Sequence, residues 1–240
     1  FLAPSGHLHV VDIKAQMVVA THILGGQPDS IAVSPDEKYA AVVIENERDE
    51  DLGNGEPPQA PSGLLQVIDL LDAPADWSIR DVSLDGVADL FSNDAEPEYV
   101  DINQENIAFI IMQENNHIVL VDLATGTIIN DFTAGNVDLF EIDTKEETPA
   151  LISLTDTLAG VPREPDGVAW MGDTLFATAD EGDLFGGSRG FSIFDTHGNV
   201  VFSSGNTLEH EVVRLGHYPD SRSENKGNEP ENVEYAEFDN

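Results

Sequence analysis

The stretch Arg163–Trp170 reads REPDGVAW, and residues 228–235 repeat its form as NEPENVEY. Two earlier stretches share it: AEPEYVDI at 95–102 and GQPDSIAV at 26–33. The common prolines are Pro28, Pro97, Pro165 and Pro230, and the intervals read from the numbering are 69, 68 and 65 residues. A period this regular marks a repeat architecture. Other segments recur in phase with it. Each motif leads into a short apolar stretch, a turn and a second apolar stretch: IAVSPDEKYAAVVIEN, VDINQENIAFIIMQEN and VAWMGDTLFATADEG. A third apolar run then ends in Asp, as LLQVIDL, HIVLVDL and GFSIFDT, and an earlier copy, HLHVVDI, opens the chain. A turn and a fourth run follow, TIINDF or NVVFSS.

These runs are rich in Val, Ile and Phe, and Gly, Asn, Asp and Pro punctuate them. That pattern predicts strands, with no long amphipathic helix. Four strands per unit, repeated, make a propeller blade, so the fold class is all-β, a β-propeller of four-stranded blades. A sandwich would not repeat four strands in this phase, and a solenoid rung is shorter. The units fall near 27–95, 96–163 and 164–228, with the start of another at 229–240, about three and a half blades in all. A propeller closes with about four or more. Residues 1–240 are therefore expected to form part of a single propeller domain whose remaining blades come from the same or another chain. A start at Phe1 rather than Met fits a segment removed upstream. The strand-ending Asp12, Asp69, Asp122 and Asp195 read as turn residues that accept backbone N–H groups. Residues 47–63, 136–163 and 204–228 read as long connections, a kind often functional or mobile.

Charge bounds the partners. The chain carries 46 acidic and 10 basic residues, a formal net charge of −36. No broad basic face can be built from so few cations, which excludes nucleic acid and anionic membrane as partners. The acids suit a salt-screened, halophilic surface, cation binding, or both. There is no cysteine, so thiolate metal sites, disulfides and thiol catalysis are excluded.

The repeated motif begins the innermost strand of each blade. Proline suits that entry because its φ is fixed and it needs no hydrogen-bond acceptor. The acids around it are expected on one face with the ends of the second strands. The expected metal ligands are Glu96, Glu98, Glu114, Glu164, Asp166, Glu181, Glu229 and Glu231. Converging carboxylates repel one another unless protons, water or a cation intervene, and a hard cation with oxygen ligands, Ca2+, answers that need. Arg163, Arg189, Arg214, Arg222 and Lys226 fall in the connections of the same face, as do His210 and His217. Arg189, Arg214 and His217 are candidate catalytic residues toward a phosphorylated small molecule, where a metal polarises the phosphoryl oxygen and Arg neutralises developing charge. The other histidines show no ligand pattern. No nucleophile-elbow serine or phosphate-cradling loop occurs.

GGQPDSIAVSPDEKYAAVV and NNHIVLVDLATGTII resemble the YVTN-type bacterial propeller repeat. REPDGVAWMGDTLFATADEGDLFGGSRGFSIFD, followed by ENKGNEPENVEY, is similar to secreted bacterial propellers of the choice-of-anchor I and phytase-like esterase group. The resemblance implies a secreted propeller at the cell surface, in the extracellular space or in the periplasm. Some relatives in that group are described as alkaline phosphatase- or phytase-like. TADEGD departs from the group's phrase by carrying Asp180 where Asn is usual. Two functions stand at this point: a metal-binding surface scaffold with an extracellular protein partner, or a calcium-dependent phosphoesterase.

Overall fold

The computed structural model describes residues 4–238; Asp239 and Asn240, which close the expected fourth repeat, lie outside the described residues. The described residues are nearly all β. β1 (Gly6–Asp12) and β2 (Met17–Leu24) form an antiparallel pair. β3 (Pro28–Val33), β4 (Tyr39–Ile44), β5 (Leu64–Asp69) and β6 (Ser78–Ser83) form a four-stranded sheet in chain order. So do β7 (Pro97–Ile102), β8 (Ile107–Met112), β9 (His117–Asp122) and β10 (Thr127–Thr133). β11 (Asn136–Ile142) and β12 (Asp156–Pro162) pair alone, and β13 (Gly167–Met171), β14 (Leu175–Asp180), β15 (Gly190–Asp195) and β16 (Val200–Ser203) make the third four-stranded sheet. Three meandering four-stranded sheets are the blades that the repeat predicts.

Burial follows sequence along each blade. In β4 and β5 the runs Ala40–Ile44 and Leu65–Ile68 are buried on both faces, and β8 and β9 repeat this with Ala108–Met112 and Ile118–Val121. Strands covered on both sides read as continuous apolar runs. The outer strand β10, TIINDFT, instead alternates exposed and half-buried positions. Pro28 and Pro97 are the first residues of β3 and β7, where a missing N–H costs no ladder bond. The strand-ending aspartates cap turns. Asp12 Oδ1 accepts Ala15 N–H, Asp122 Oδ1 accepts Thr125 N–H, and Asp195 Oδ1 accepts the N–H groups of His197 and Asn199. Asp69 instead takes the Ser78 hydroxyl. The Asp122 turn closes with Gly126 at φ 69°, a left-handed position that glycine adopts without Cβ strain.

The chain divides into two compact units. One runs to Ile110 and takes in Val119–Asp131; the other is Ile111–Ile118 with Phe132 onward. In the first, Leu8 of β1 and Trp77 pack against the buried cluster Leu24, Ala40, Val42, Ile44 and Ile68. In the second, Phe176 stacks on Phe194 at 5.5 Å between centroids, meets Trp170 edge-on at 5.9 Å, and lies 6.3 Å from Phe132.

Two connections are more ordered than the sequence predicts. Residues 136–163 hold the β11–β12 hairpin, bulged at two points. Residues 204–228 contain a helix, α1 (Thr207–Leu215), where none was expected. Asn206 begins it, and Gly216 at φ 75° ends it by donating to the carbonyls of Val212 and Val213. Its only fully buried residue is Glu209, so hydropathy along TLEHEVVRL does not reveal the side that packs.

Phe176 is wholly buried among three aromatic rings. Phe176→Ala is expected to cost about 3–5 kcal/mol, read as a lower urea midpoint with an unchanged m value.

Candidate functional site

In the first unit the strand entry gathers acids. Gln27 O accepts Glu45 N–H at 3.0 Å, Asn46 Oδ1 accepts Gln27 N–H at 2.8 Å, and Gln27 Nε2 donates to Glu47 Oε2 at 3.0 Å. This lattice carries Glu45 and Glu47 from the end of β4 to the entry of β3, beside Asp29. Glu96, just before β7, is 2% exposed. Burial pushes the Glu45 carboxyl up to about 8, and Asp29, Glu96 and Glu47 add to the push while Arg48 opposes it. Glu98 lies half-buried on β7.

In the second unit the expected ligands have varied surroundings. Glu164 is fully buried, and its carboxylate accepts N–H groups from Asp183 at 2.8 Å and Phe185 at 2.9 Å. Burial raises its pKa, and those backbone bonds oppose the rise. Glu181 accepts Gln113 Nε2 at 3.1 Å and Lys226 Nζ at 3.3 Å. Lys226 also reaches Asp183 at 3.6 Å. Its burial works against the charge, but Glu181 and Asp183 outweigh that and raise its pKa. Glu229 is gripped by Arg222, whose Nε donates at 2.8 Å, and its pKa is lowered by that bond. Glu181, Asp183 and Glu229 thus meet built-in cations beside a cavity of about 330 Å³ lined by Phe185, Gly186, Arg222 and Lys226. Asp166 donates its N–H to Ala179 O, Glu114 is buried in the turn after β8, and Glu231 is exposed.

Asp180, the residue that departs from the resembled phrase, is wholly buried. It accepts hydroxyls from Thr178 (2.6 Å), Ser188 (2.9 Å) and Ser192 (2.6 Å), with Arg163 Nε at 3.9 Å. Burial pushes its pKa to about 6, and the hydroxyls and Arg163 hold it from rising further.

The candidate catalytic cations are placed apart in character. Arg189, at φ 58°, is 1% exposed; Nη1 donates to Asp143 O at 2.7 Å and Glu209 Oε2 at 3.2 Å, and Nη2 donates to Ser223 O at 2.8 Å. Its guanidinium faces protein groups rather than solvent. Arg214 is exposed and paired with Glu211 one helical turn earlier. His217 is exposed just beyond the end of α1.

Among the described residues, a different set of three carboxylates comes together. Asp143, Glu147 and Asp220 each offer an oxygen, and these oxygens lie within 4.8 Å of one another. The loop after β11 wraps them. Asp143 accepts the N–H groups of Lys145 and Ser153, and Asp220 accepts those of Glu147 and Leu151. Glu147 Oε2 is enclosed and has no hydrogen-bond partner. Two oxygens on one Ca2+, each at 2.3–2.6 Å, lie at most about 5 Å apart, so the spacing fits such an ion. The sequence reading missed these residues. Asp220 is 73 residues from Glu147 along the chain, and no local spacing links them; the only visible signal was acid density in two long connections.

The choice-of-anchor I domain profile matches residues 3–186 and 184–240. The chain belongs to the choice-of-anchor I domain family. That name implies cell-surface anchoring, in keeping with an extracellular or surface location. Among solved structures, this choice-of-anchor I domain is similar to Kuenenia stuttgartiensis hydrazine synthase, with 15% identity and a TM-score of 0.50 over 81% of this chain and 53% of that one. The domain thus spans about half of that chain, and the likeness is one of fold. Chaetomium thermophilum Sqt1 is also matched, at 14% identity and a TM-score of 0.48, over 86% of this chain and 42% of that one. No curated protein matches.

Two tests follow from the buried charges. The raised pKa of Glu45 means that the folded state holds its proton more tightly than the unfolded chain. Its contribution is full below the ordinary carboxylate range and is lost as pH rises through about 8. Thermal midpoints should fall across that window, and Glu45→Gln should flatten the slope, by about 2–4 °C for each kcal/mol. Glu209→Ala strands Arg189 and should cost about 3–5 kcal/mol in chemical denaturation.

Proposed function

We propose that this domain is an extracellular surface scaffold that holds a divalent cation, Ca2+, in the loop between β11 and β12. The observation that carries the reading is the convergence of Asp143, Glu147 and Asp220 oxygens within 4.8 Å. The donors are all oxygens, which suits a hard cation. Backbone N–H groups already orient the two aspartates, so binding orders little that is not ordered before the ion arrives. The net charge of −36 adds negative potential that draws cations. Membership in a surface-anchoring family supports a scaffold role, with an extracellular protein as partner. No specific arrangement favours the phosphoesterase alternative: Arg189 is engaged by Glu209 and backbone carbonyls, which leaves exposed Arg214 and His217.

Calorimetric titration with Ca2+ tests the reading. The expected result is saturable binding and a raised thermal midpoint, about 2.7 kcal/mol of stabilisation when free Ca2+ is about 100 times Kd. Glu147→Gln, whose side chain supports no described hydrogen bond through Oε2, should weaken binding without unfolding the loop. A midpoint indifferent to Ca2+, with no binding heat, would sink the proposal.

A further inference from the structure

The loop between β4 and β5 is held at its base and open at its tip. Gln59 spans the base: its side chain accepts Asp49 N–H at 2.9 Å and donates to Asp49 O at 3.0 Å. Asp94 accepts Gln59 N–H and Ser62 Oγ accepts Ala95 N–H, so the loop leans on the segment that leads into β7. The two sheets joined by that segment, β3–β6 and β7–β10, each have all four strands. Residues 51–54, DLGN, are exposed at the tip, and a Cβ on Gly53 would meet no atom within 4 Å. Asn54 precedes Gly55, the only asparagine–glycine step in the sequence. Asn54 Nδ2 donates to Glu56 Oε2 at 2.6 Å, a bond that spans Gly55. Arg48, 9% exposed, donates from Nε to Gly55 O at 2.9 Å.

We infer that Asn54 is a modification site, where the chain deamidates itself with water as the only co-reactant. Gly55 has no Cβ, so its nitrogen approaches the Asn54 side chain without the screen that another residue would add. That nitrogen gives up its proton to water or hydroxide and attacks Asn54 Cγ. The N–Cγ bond forms, the Cγ–Nδ2 bond breaks, and ammonia leaves with a proton from solvent. Water then opens the five-membered imide. Attack at Cγ restores the backbone with aspartate at position 54. Attack at the main-chain carbonyl breaks its bond to the Gly55 nitrogen and routes the chain through the side chain as isoaspartate. The Arg48 guanidinium beside Gly55 favours the anionic nitrogen. Gly55 N–H donates to Leu52 O at 3.0 Å, and that bond must open first; one turn hydrogen bond in contact with water slows the step by about tenfold at most. Either product puts a carboxylate where Asn54 donated to Glu56, and the like charges repel. Isoaspartate also adds a methylene to the backbone between Leu52 and Gly55, which misfits the turn bond and the Arg48 bond. The tip loosens, while the base stays tied by Gln59 and Asp94.

The test incubates the intact folded chain at neutral and at mildly alkaline pH and maps its peptides by mass spectrometry over time. Asn136 and Asn199 are the controls, because both are exposed but precede valine, whose branched Cβ hinders the attacking nitrogen. Asn54 is expected to convert about tenfold or more faster than either. The rate should rise with pH, since the nitrogen must lose its proton, and both aspartate and isoaspartate should form. Asn54→Gln should remove the acidic species that anion exchange resolves from aged protein, with the circular dichroism unchanged. Conversion at Asn54 no faster than at Asn136 and Asn199 overturns the assignment. Aspartate without isoaspartate, or the same acidic species in Asn54→Gln, overturns it as well.

Discussion

The second unit depends on one buried ion pair. Arg189 and Glu209 are both almost wholly removed from solvent, and neither charge is tolerable there alone. Together they gather the connections of that unit. Glu209 Oε1 accepts Asp143 N–H, Arg189 donates to Asp143 O, and its other nitrogen binds Ser223 O. One pair thus ties α1, the end of β11 and the 220s segment to the loop before β15. Asp143 is held at both its N–H and its carbonyl, and its carboxylate is one of the three that converge with Glu147 and Asp220. The candidate cation loop rests on this clamp. A cation there would bind a scaffold already fixed by charge rather than fold it.

The same rule, that a buried charge must find donors, explains how so acidic a chain packs. Glu164 satisfies its carboxylate with backbone N–H groups, and Asp180 uses three hydroxyls and a nearby arginine. Glu181 and Glu229 use Lys226 and Arg222. Glu45 stands apart: its neighbours Asp29, Glu47 and Glu96 are acids, and only Arg48 opposes them. It responds by keeping its proton near neutrality. Arg163 and Arg189 are buried beside Asp180 and Glu209, whereas Arg214 stays exposed with Glu211.

The blades were legible because their signals are local. Proline at a strand entry, two apolar runs, a third run ending in Asp and a Gly turn each act within a few residues, and the repeat period shows them again and again. Pro28 and Pro97 begin strands, and Asp12, Asp122 and Asp195 accept turn N–H groups as that reading expects. The inserted elements were not legible. α1 buries Glu209 and leaves its apolar residues half-exposed, which inverts the pattern that marks a helix. Arg189 looked available for an anion because it falls in a connection on the face of the expected metal ligands, yet its partners come from residues 143, 209 and 223, which no spacing rule connects. The grouping of Asp143, Glu147 and Asp220 shares that character: two of its members lie in the β11–β12 connection and the third far downstream.

Glu164 carries a consequence for what the loop after β14 can do. Backbone N–H groups at Asp183 and Phe185 point toward one carboxylate, a geometry that elsewhere receives free anions. Here the occupant is tethered by the chain itself, so its effective concentration is fixed by geometry, and short tethers give millimolar values without any ligand in solution. A phosphate, sulfate or peptide carboxylate arriving from outside would have to displace a competitor that never diffuses away. The chain's own carboxylate thus takes the place an outside anion would take, and it holds the loop's shape while it stays ionised.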